Sequence, residues 1–379
     1  DLKKGVKRWS GGDVWLIAAV YLLLIIGLVF IYSASNYSAS ATYNDSFYFV
    51  KKQAVGVVVG TAAMAFTACF DYRRFAKISW VFALLSVVLL ALVFVPFLGV
   101  ESYGAKRWVG IGSFTFQPSE FAKFGFIIFA AAYLAKNPAR ARTFRGILPV
   151  LCFGGVLCLL IILEPNMSIT VCMGMLMLSV LFAAGMKIKH FMVILVPAFL
   201  LGVGLILIEP YRLNRLSAFL NPWASPKGEG YQLLQSLYAL GSGGWFGVGL
   251  FQSRQKFAFL PFSESDFILS IIGEEVGFVG LIALFALLFF IIFRGIRIAS
   301  RSKNVFGYLM AVGITMIFGI QVVVNALVVS GSIPPTGLPL PLVSSGNTAI
   351  IVFMAGFGIL YNISKHNREE NLNEGLFLR

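Results

Sequence analysis

Long apolar runs separated by short polar segments dominate the hydrophobic pattern of this chain. A helix that crosses a bilayer needs about 20 mainly apolar residues, and the 379-residue sequence contains ten such runs. They lie at residues 14–34, 53–70, 78–98, 118–135, 146–163, 166–186, 190–208, 267–293, 304–330 and 342–363. The pattern predicts an all-α polytopic membrane protein. It would form one integral membrane domain of ten transmembrane helices, with a large outer loop, 209–266, between helices seven and eight.

The boundary between the last two runs is set by proline and glycine. Residues 304–364 carry no charge and are far too long for one span. The stretch SGSIPPTGLPLPLVSSGN lies inside them, and its prolines remove backbone donors and end a helix. Two helices joined by an irregular outer segment are therefore predicted here.

Composition supports a membrane protein. Hydrophobic residues make up 59% of the chain and charged residues only 12%, which is about half of the charged share in soluble proteins. A net charge of +14 would suggest nucleic acid as the partner of a soluble protein. In a membrane protein it first reports which side of the bilayer the cations occupy, so no nucleic-acid partner is predicted.

The cysteines and histidines predict neither disulfides nor a metal site. All four cysteines fall in apolar runs, where a thiol is usually a small buried hydrophobe. His190 and His366 lie far apart in sequence. The first apolar run is long enough to span and lacks a small-residue cleavage site, so no cleavable signal is expected.

Basic residues test the number of spans. If the N-terminus is cytoplasmic, ten spans place most of the 30 Lys and Arg in cytoplasmic segments, at residues 3–8, 73–77, 136–145, 187–189, 294–303 and 365–379. This satisfies the positive-inside rule, and a different parity would break the pattern. Both termini are therefore predicted to be cytoplasmic.

The remaining basic residues have no such topological reason. They are Lys51, Lys52, Lys106, Arg107, Lys123, Arg212, Arg215, Lys227, Arg254 and Lys256. Most lie in or beside the predicted outer segments 99–123 and 209–266, which also hold Glu101, Glu120, Glu209, Glu229, Glu264 and Asp266. One interpretation is an aromatic belt with snorkelling cations. The other is a functional site, because ionisable residues at a membrane edge are candidates by default.

The stretch GAKRWVGIGSFTFQPSEFAKFGF contains two charged features. Glu120 lies three residues before Lys123, one helical turn apart on a single face. The two side chains form either a buried salt bridge that lets both charges lie at membrane depth or part of a binding site. Lys106 and Arg107 fit an anion or a lipid headgroup better, because Arg grips phosphate through its planar fork.

The glycines of SLYALGSGGWFGVGL allow tight turns or close backbone approach. A phosphate cradle is one interpretation. The favoured interpretation is a re-entrant segment whose small residues are needed for packing.

Four carboxylates crowd into FLPFSESDFILSIIGEE, namely Glu264, Asp266, Glu274 and Glu275. If a helix begins near Asp266, Glu274 and Glu275 lie roughly 12 Å deeper at about 1.5 Å per residue. They are then too far away to share a reacting centre with Asp266, and we expect them to pair with another helix or a buried polar network. Asp266 itself is either a helix cap or a working carboxylate.

Several of these stretches occur together and in this order in one known family. They are GAKRW with FQPSEFAK, EPNMS, FLNPW, GEGYQLLQSLYALGSGG, SRQKFAFLP, SDFILSIIGEEVGFVG and PPTGLPLPLVSSGN. On these motifs the chain resembles, over nearly its whole length, the SEDS family of bacterial cell-wall glycosyltransferases. YSAS with FYFVKKQ, SLYALGSGGWFGVGL and SRQKF is more similar to the division and sporulation branch, FtsW and SpoVE, whereas TGLPLP leans towards the elongation branch, RodA.

Four positions depart from the pattern of this family. Phe251 replaces a common glycine and Asn166 replaces a frequent aspartate. The stretch Ser344-Ser345-Gly346-Asn347 stands where SYGG is usual, so Ser345 and Asn347 differ from it.

The resemblance implies polymerisation of lipid II into glycan strands on the outer face of the bacterial cytoplasmic membrane, with undecaprenyl pyrophosphate as the leaving group. Asp266 matches the essential acid of the family and would be the catalytic residue, a general base for the attacking sugar hydroxyl. Cationic side chains, or a divalent cation such as Mg or Mn, would stabilise the departing pyrophosphate. The candidates for substrate binding are Lys52, Lys106, Arg107, Glu120, Lys123 and Arg215.

The resemblance also suggests a partner, a single-span class B penicillin-binding transpeptidase. Two other functions stay open, a flippase of the lipid-linked precursor and a non-catalytic scaffold for that transpeptidase. A flippase should also need cationic groups at mid-membrane and on the inner side. The unexplained charges of this chain cluster on the outer side, where a polymerase acts.

Overall fold

Helices make up most of this structure. The computed structural model describes residues 11–102, 105–111, 114–208, 210–228, 230–257 and 259–377. Within these ranges lie thirteen α-helices: α1 (Val14–Tyr43), α2 (Tyr48–Cys69), α3 (Arg73–Lys77), α4 (Ser79–Leu92), α5 (Pro118–Lys136), α6 (Phe144–Leu163), α7 (Met167–Ala183), α8 (Ile188–Ile208), α9 (Pro210–Leu220), α10 (Tyr231–Gly243), α11 (Ile268–Ser300), α12 (Val305–Val329) and α13 (Asn347–Phe377). The cations of 3–8, Glu209, Glu229 and Arg379 lie outside the described residues, and the structure does not describe the Arg212 side chain.

Each predicted transmembrane run overlaps one α-helix, namely α1, α2, α4 to α8 and α11 to α13. Six of these, α1, α2, α6, α11, α12 and α13, are long and apolar enough to cross a membrane, and α4, α7 and α8 are shorter apolar helices. The mostly helical architecture is therefore confirmed. The exact number of crossings and the position of the large loop stay predictions.

The prediction of an all-α fold is wrong between α4 and α5. Here β1 (Gly99–Ser102), β2 (Ala105–Ile111) and β3 (Phe114–Phe116) form an antiparallel sheet in the order β1-β2-β3. Val109 is the centre of the sheet, facing Gly99 on one side and Phe116 on the other. Strands this short show little alternation of apolar and polar residues in the sequence. Their pairing provides hydrogen bonds for the backbone N–H and C=O groups of a segment that lies against the helices.

The predicted outer segments meet at one end of the helices, which we call the site end. The Arg107 guanidinium donates to the Pro165 carbonyl between α6 and α7 (2.6 Å), and the Ser263 hydroxyl donates to the Ala34 carbonyl of α1 (3.1 Å). The segment between α12 and α13, residues 330–346, also lies here and is called the last loop. Each of these contacts joins one predicted outer segment to another or to the outer part of a helix.

The predicted cytoplasmic segments meet at the opposite end, which we call the terminal end. Asp13, the N-cap residue of α1, forms an ion pair with Arg294 near the end of α11 (2.5 Å). Arg73 of α3 pairs with Glu370 of α13, also at 2.5 Å. The two sets of predicted segments therefore lie at different ends of the helices.

The glycine-rich chain after α10 packs against α11 and interrupts it. Gly277 has φ 67 and ψ −168, outside the helical region, and the Gly249 N–H donates to the Glu275 carbonyl (3.1 Å). A Cβ on Gly247 would lie 2.1 Å from that same carbonyl oxygen, so any side chain would push the two backbones apart. Close packing therefore explains Gly247 and Gly277, and the re-entrant path of the segment stays a prediction.

The two deep carboxylates of α11 hold the loop that follows the glycines. Glu274 accepts a hydrogen bond from the Ser253 hydroxyl (2.5 Å). Glu275 accepts one from the Ser33 hydroxyl of α1 (2.5 Å) and lies 3.6 Å from the Lys256 ammonium. Both acids are buried. The prediction that they pair with other elements is confirmed.

Phe251 has φ 63, in the left-handed region that favours glycine. A side chain costs roughly 1–2 kcal/mol in that conformation. This backbone geometry gives a physical reason for the glycine that the family commonly has at this position. The Phe251 ring makes an edge contact with Tyr32, with 5.9 Å between the ring centroids.

Candidate active site

Asp266 lies at the site end, two residues before α11. That helix begins at Ile268, its N-cap residue is Phe267, and within the described chain this cap makes no side-chain hydrogen bond. The cap interpretation of Asp266 is therefore wrong. Asp266 is half-buried, so its carboxylate is partly shielded from solvent and still open to a ligand.

The main chain around Asp266 is fixed at three consecutive carbonyls. The carbonyls of residues 264, 265 and 266 accept, in that order, hydrogen bonds from the Ser345 N–H (2.9 Å), the Ser344 hydroxyl (2.6 Å) and the Asn325 side-chain amide (2.9 Å). We call these three bonds the carbonyl clamp. Two donors belong to the last loop and one to α12, so the clamp joins Asp266 to the C-terminal part of the chain.

The surroundings of Asp266 make it a better base than an aspartate in water. Burial, and then the negative charge of Glu264, raise the pKa of Asp266 to about 6, while Arg215 and Arg107 oppose the rise. Burial disfavours the charged carboxylate, and a nearby like charge does the same. A carboxylate with a pKa of about 6 is ionised at neutral pH and still accepts a proton readily.

Arg107, on β2, is anchored over the turn between α6 and α7. Its guanidinium donates to the Pro165 carbonyl (2.6 Å) and, through Nε, to the Glu164 carbonyl (3.4 Å). The Ser168 hydroxyl, at the start of α7, donates to the Thr336 carbonyl of the last loop. This turn therefore links Arg107 to the loop that lies beside Asp266.

Glu164 is an acid in this turn that the sequence analysis did not single out. Its side chain is buried, and neither carboxyl oxygen has a hydrogen-bond partner among the described residues. Burial raises the pKa of Glu164 to about 8, against the opposing charge of Arg107. Glu164 is therefore mostly neutral at pH 7.

Arg215, on α9, approaches the site from another direction. It lines a small pocket together with Gln232 and Pro335, and its charge acts on Asp266. Gly337, two residues after Pro335, has φ 68, and a Cβ there would lie 3.1 Å from Asp266 Oδ2. The last loop therefore connects the Arg215 pocket with the carboxylate.

Lys52 and Lys106, both exposed, lie at the rim of the site end. Lys106 stands on β2 opposite Glu101. Lys52 stands in the second turn of α2, next to Gln53, whose amide donates to the Ser344 carbonyl (3.1 Å). The structure thus brings Asp266, Arg107 and Arg215 together and leaves the two lysines further out.

Glu120 and Lys123 form the predicted salt bridge in the first turns of α5. The Lys123 ammonium lies 2.7 Å from Glu120 Oε1, and the side chains are 0% and 2% exposed. The ammonium also lies 5.8 Å from the centre of the Phe353 ring of α13. The pair is formed and enclosed by protein, and its role in substrate binding stays a prediction.

Comparison with known proteins identifies the group to which this architecture belongs. Residues 14–369 match the cell cycle protein family of FtsW, RodA and SpoVE. The chain belongs to this family. The stage V sporulation protein E of Bacillus subtilis is 39% identical over 357 residues, which covers 94% of this chain and 98% of the relative. The probable peptidoglycan glycosyltransferase FtsW of Trichlorobacter lovleyi is 37% identical over 358 residues, 94% of each protein.

Solved structures support the same family. A chain of a peptidoglycan synthase complex that coordinates polymerization and crosslinking superposes with a TM-score of 0.79 at 26% identity, covering 95% of this chain and 99% of that one. The rod shape determining protein RodA of Thermus thermophilus gives 0.70 at 25% identity, covering 96% and 98%. This family member is a multi-pass membrane protein, and in sequence it is closer to FtsW and SpoVE than to these structures.

The sequence alone did not identify the donors of the carbonyl clamp as residues that contact the segment of Asp266. Ser344 and Ser265, which the clamp joins, are 79 positions apart in sequence, and a hydrogen bond to a backbone carbonyl leaves no pattern in a single chain. SSGN and TGLPLP were visible as unusual motifs. Their position beside Asp266 depends on how α12 and α13 pack.

Proposed function

We propose that the protein is a peptidoglycan glycosyltransferase that polymerises lipid II on the outer face of the bacterial cytoplasmic membrane. The observation that carries the proposal is Asp266, a half-buried carboxylate whose pKa is raised to about 6 and whose surroundings include Arg107 and Arg215. A base beside two cations suits a reaction that removes a proton from one group and leaves negative charge on another. The relatives named FtsW carry this activity in their names.

The proposed topology has ten crossings, both termini in the cytoplasm and the site end outside. It is supported by the basic clusters of the predicted cytoplasmic segments and by ion pairs such as Asp13 to Arg294, which join those segments at the terminal end. The site end is then the outer end, where a lipid-linked sugar substrate would meet Asp266.

The proposed reaction is one displacement at an anomeric carbon. The acceptor sugar hydroxyl transfers its proton to Asp266 as its oxygen bonds to the anomeric carbon of the donor, and the bond from that carbon to undecaprenyl pyrophosphate breaks. Arg107 and Arg215 stabilise the negative charge that develops on the pyrophosphate. Asp266 then returns the proton to water. Lys52 and Lys106 attract the anionic substrate at the rim. Glu120 and Lys123 form an ion pair in the first turns of α5 that belongs to the proposed substrate-binding site.

A divalent cation such as Mg or Mn fits this site only with help from the substrate. Among the described residues, no three His, Cys, Asp or Glu side chains converge so that they could hold a metal ion. Mg²⁺ is commonly held by one or two carboxylates together with substrate phosphates. The described side chains alone therefore do not make a metal site, and an ion that accompanied the substrate would neutralise pyrophosphate charge.

A class B penicillin-binding transpeptidase is the proposed partner. One structural neighbour belongs to a complex that coordinates polymerization with crosslinking, and crosslinking is the reaction that such a transpeptidase would add. The higher identity to SpoVE and FtsW favours a role in division or sporulation over elongation.

The decisive experiment is polymerisation of labelled lipid II by the purified protein, with and without the transpeptidase. Asp266→Asn keeps shape and hydrogen bonding but cannot accept a proton, so the rate should fall by about 10² to 10⁴ with lipid II binding retained. Asp266→Glu should also be impaired, because the extra methylene displaces the base by roughly 1 Å. Asp45→Asn, which removes a surface acid paired with Lys51, is the matched control and should polymerise normally.

Equal polymer from wild type and Asp266→Asn at equal folded amounts would overturn the catalytic assignment. If even the wild type forms no polymer but moves lipid II across vesicles, the flippase alternative is correct. The pH dependence gives a second readout. Because the base must be ionised, polymerisation by the wild type should fall as the pH drops through about 6.

A further inference from the structure

Asn325 is a fully buried amide in α12 that joins two separate segments. Its Nδ2 donates to the Asp266 carbonyl (2.9 Å) and to the Leu338 carbonyl (2.8 Å), so both amide hydrogens are used. Within the described chain its Oδ1 has no hydrogen-bond partner. The residue is therefore oriented by its two donor contacts.

These two carbonyls flank the space around the Asp266 carboxylate. One carbonyl belongs to Asp266 itself, and the other belongs to Leu338, the residue after Gly337. Gly337 lies so close to Asp266 that a Cβ on it would be 3.1 Å from Asp266 Oδ2. A single amide thus sets the main-chain position of the carboxylate and of the loop that packs against it. Neither contact can shift without breaking a buried hydrogen bond.

Two serines of the last loop complete this arrangement. The Ser344 hydroxyl accepts from the Leu340 N–H (2.8 Å) and donates to the Ser265 carbonyl (2.6 Å). The carbonyl clamp therefore consists of one side chain from α12, one side chain from the last loop and one backbone N–H. Asn325 is the member that touches the residue carrying the carboxylate.

We propose that Asn325 is a positioning residue for the general base, which holds the Asp266 carboxylate half-buried against the last loop and within reach of the acceptor hydroxyl. This inference rests on the proposed function of Asp266. A base works only when it is held within a few tenths of an ångström of its productive position, and a displacement of about 1 Å can lower the rate about 10²-fold.

The position of the carboxylate can be read from its titration. Burial is the first cause of the raised pKa of Asp266, and the charged groups that act on it are Glu264, Arg107 of β2 and Arg215 of α9. Removing Asn325 leaves those charges in place but frees the main chain. A carboxylate that moves towards water titrates closer to its ordinary value, so the acid limb of the activity profile should move to lower pH.

The test compares Asn325→Ala with Asn362→Ala in the full-length protein. Asn362 is a buried amide of α13 at the terminal end, where it donates to the Ala68 carbonyl (2.8 Å) and accepts from the Tyr72 N–H (3.0 Å). It is a matched control, because its loss also removes buried hydrogen bonds but lies far from the carboxylate. Lipid II polymerisation is measured between pH 4.5 and 8, and thermal unfolding is measured in the same detergent.

We expect Asn325→Ala to lower kcat by about 10- to 100-fold with the KM for lipid II nearly unchanged, and to move the acid limb down by about one pH unit. Asn362→Ala should lower thermal stability and leave the acid limb in place. If Asn325→Ala does not fold, Ser344→Ala removes one bond of the clamp and should move the acid limb in the same direction by a smaller amount. Ser344→Thr keeps the hydroxyl and should leave the acid limb at its wild-type position.

The inference is overturned if folded Asn325→Ala and Ser344→Ala keep the wild-type kcat and acid limb while Asp266→Asn is inactive. It is also overturned if Asn362→Ala moves the acid limb as far as Asn325→Ala does. If instead Asp266→Asn polymerises lipid II normally, the proposed function itself fails, and the two outcomes are distinguished by that one variant.

Discussion

The ion pair of Glu120 and Lys123 gives a quantitative test of how this protein tolerates charge inside its helices. The two charges lie 2.7 Å apart and are almost completely shielded from solvent. The ammonium also faces the Phe353 ring, and Glu120 Oε2 has no hydrogen-bond partner among the described residues. Removing one partner therefore leaves the other charge with little compensation. We consider Glu120→Gln, Lys123→Met and the double variant.

The expected cost has an upper bound, because a stranded group can give up its charge. Neutralising a carboxyl group in water at pH 7 costs about 3.7 kcal/mol, and neutralising a lysine ammonium costs about 4.6 kcal/mol. Breaking a buried pair costs about 3–5 kcal/mol in soluble proteins, which is in the same range. The double variant strands no charge and keeps side chains of similar volume, so it should be more stable than either single variant.

Thermal unfolding of the wild type and the three variants in detergent at pH 7 measures these differences in stability. This reasoning is refuted if the double variant is as unstable as the worse single variant. Polymerisation of lipid II by the double variant separates structure from binding. Normal activity in a stable double variant would assign the pair to structure alone, whereas loss of activity would support its predicted role in substrate binding.

Three further predictions follow from single positions. Burial raises the pKa of Glu164 from 4.5 to about 8. The stability contributed by its carboxyl is therefore present in full below pH about 4.5 and is lost as the pH rises to about 8. The Tm of Glu164→Gln should rise relative to that of the wild type across this interval, and a constant difference in Tm would contradict the prediction. Phe251→Gly should be more stable than Phe251→Ala by about 1 kcal/mol in denaturation, because both lose the ring and only glycine relaxes φ 63; equal stability would remove the strain argument. Cysteine tags at Arg140 and Ser300 should react only from the cytoplasm and one at Ser225 only from outside, and labelling of positions 225 and 300 from the same side would end the ten-span topology.

Much of the fold could be predicted from the sequence, because the physics of a bilayer acts on short stretches of chain. A segment of α8 or α12 must satisfy its own backbone hydrogen bonds and present apolar side chains to lipid, so its composition alone predicts a helix. The salt bridge of Glu120 and Lys123 was predictable for the same reason, since both residues lie on one helical turn. The family resemblance added Asp266 as the proposed base, and the positive-inside rule added the proposed orientation; both stay predictions.

The small sheet, the break in α11 at Gly277 and the carbonyl clamp were decided by tertiary structure. Each depends on a backbone group meeting a distant segment in space, as when the Gly249 N–H reaches the Glu275 carbonyl or the Asn325 side chain reaches the Asp266 carbonyl. Backbone groups are the same in every residue, so their pairing leaves almost no trace in side-chain composition. The burial that raises the pKa of Asp266 and of Glu164 is likewise a sum over neighbours from several elements, and it exists only once those elements have packed.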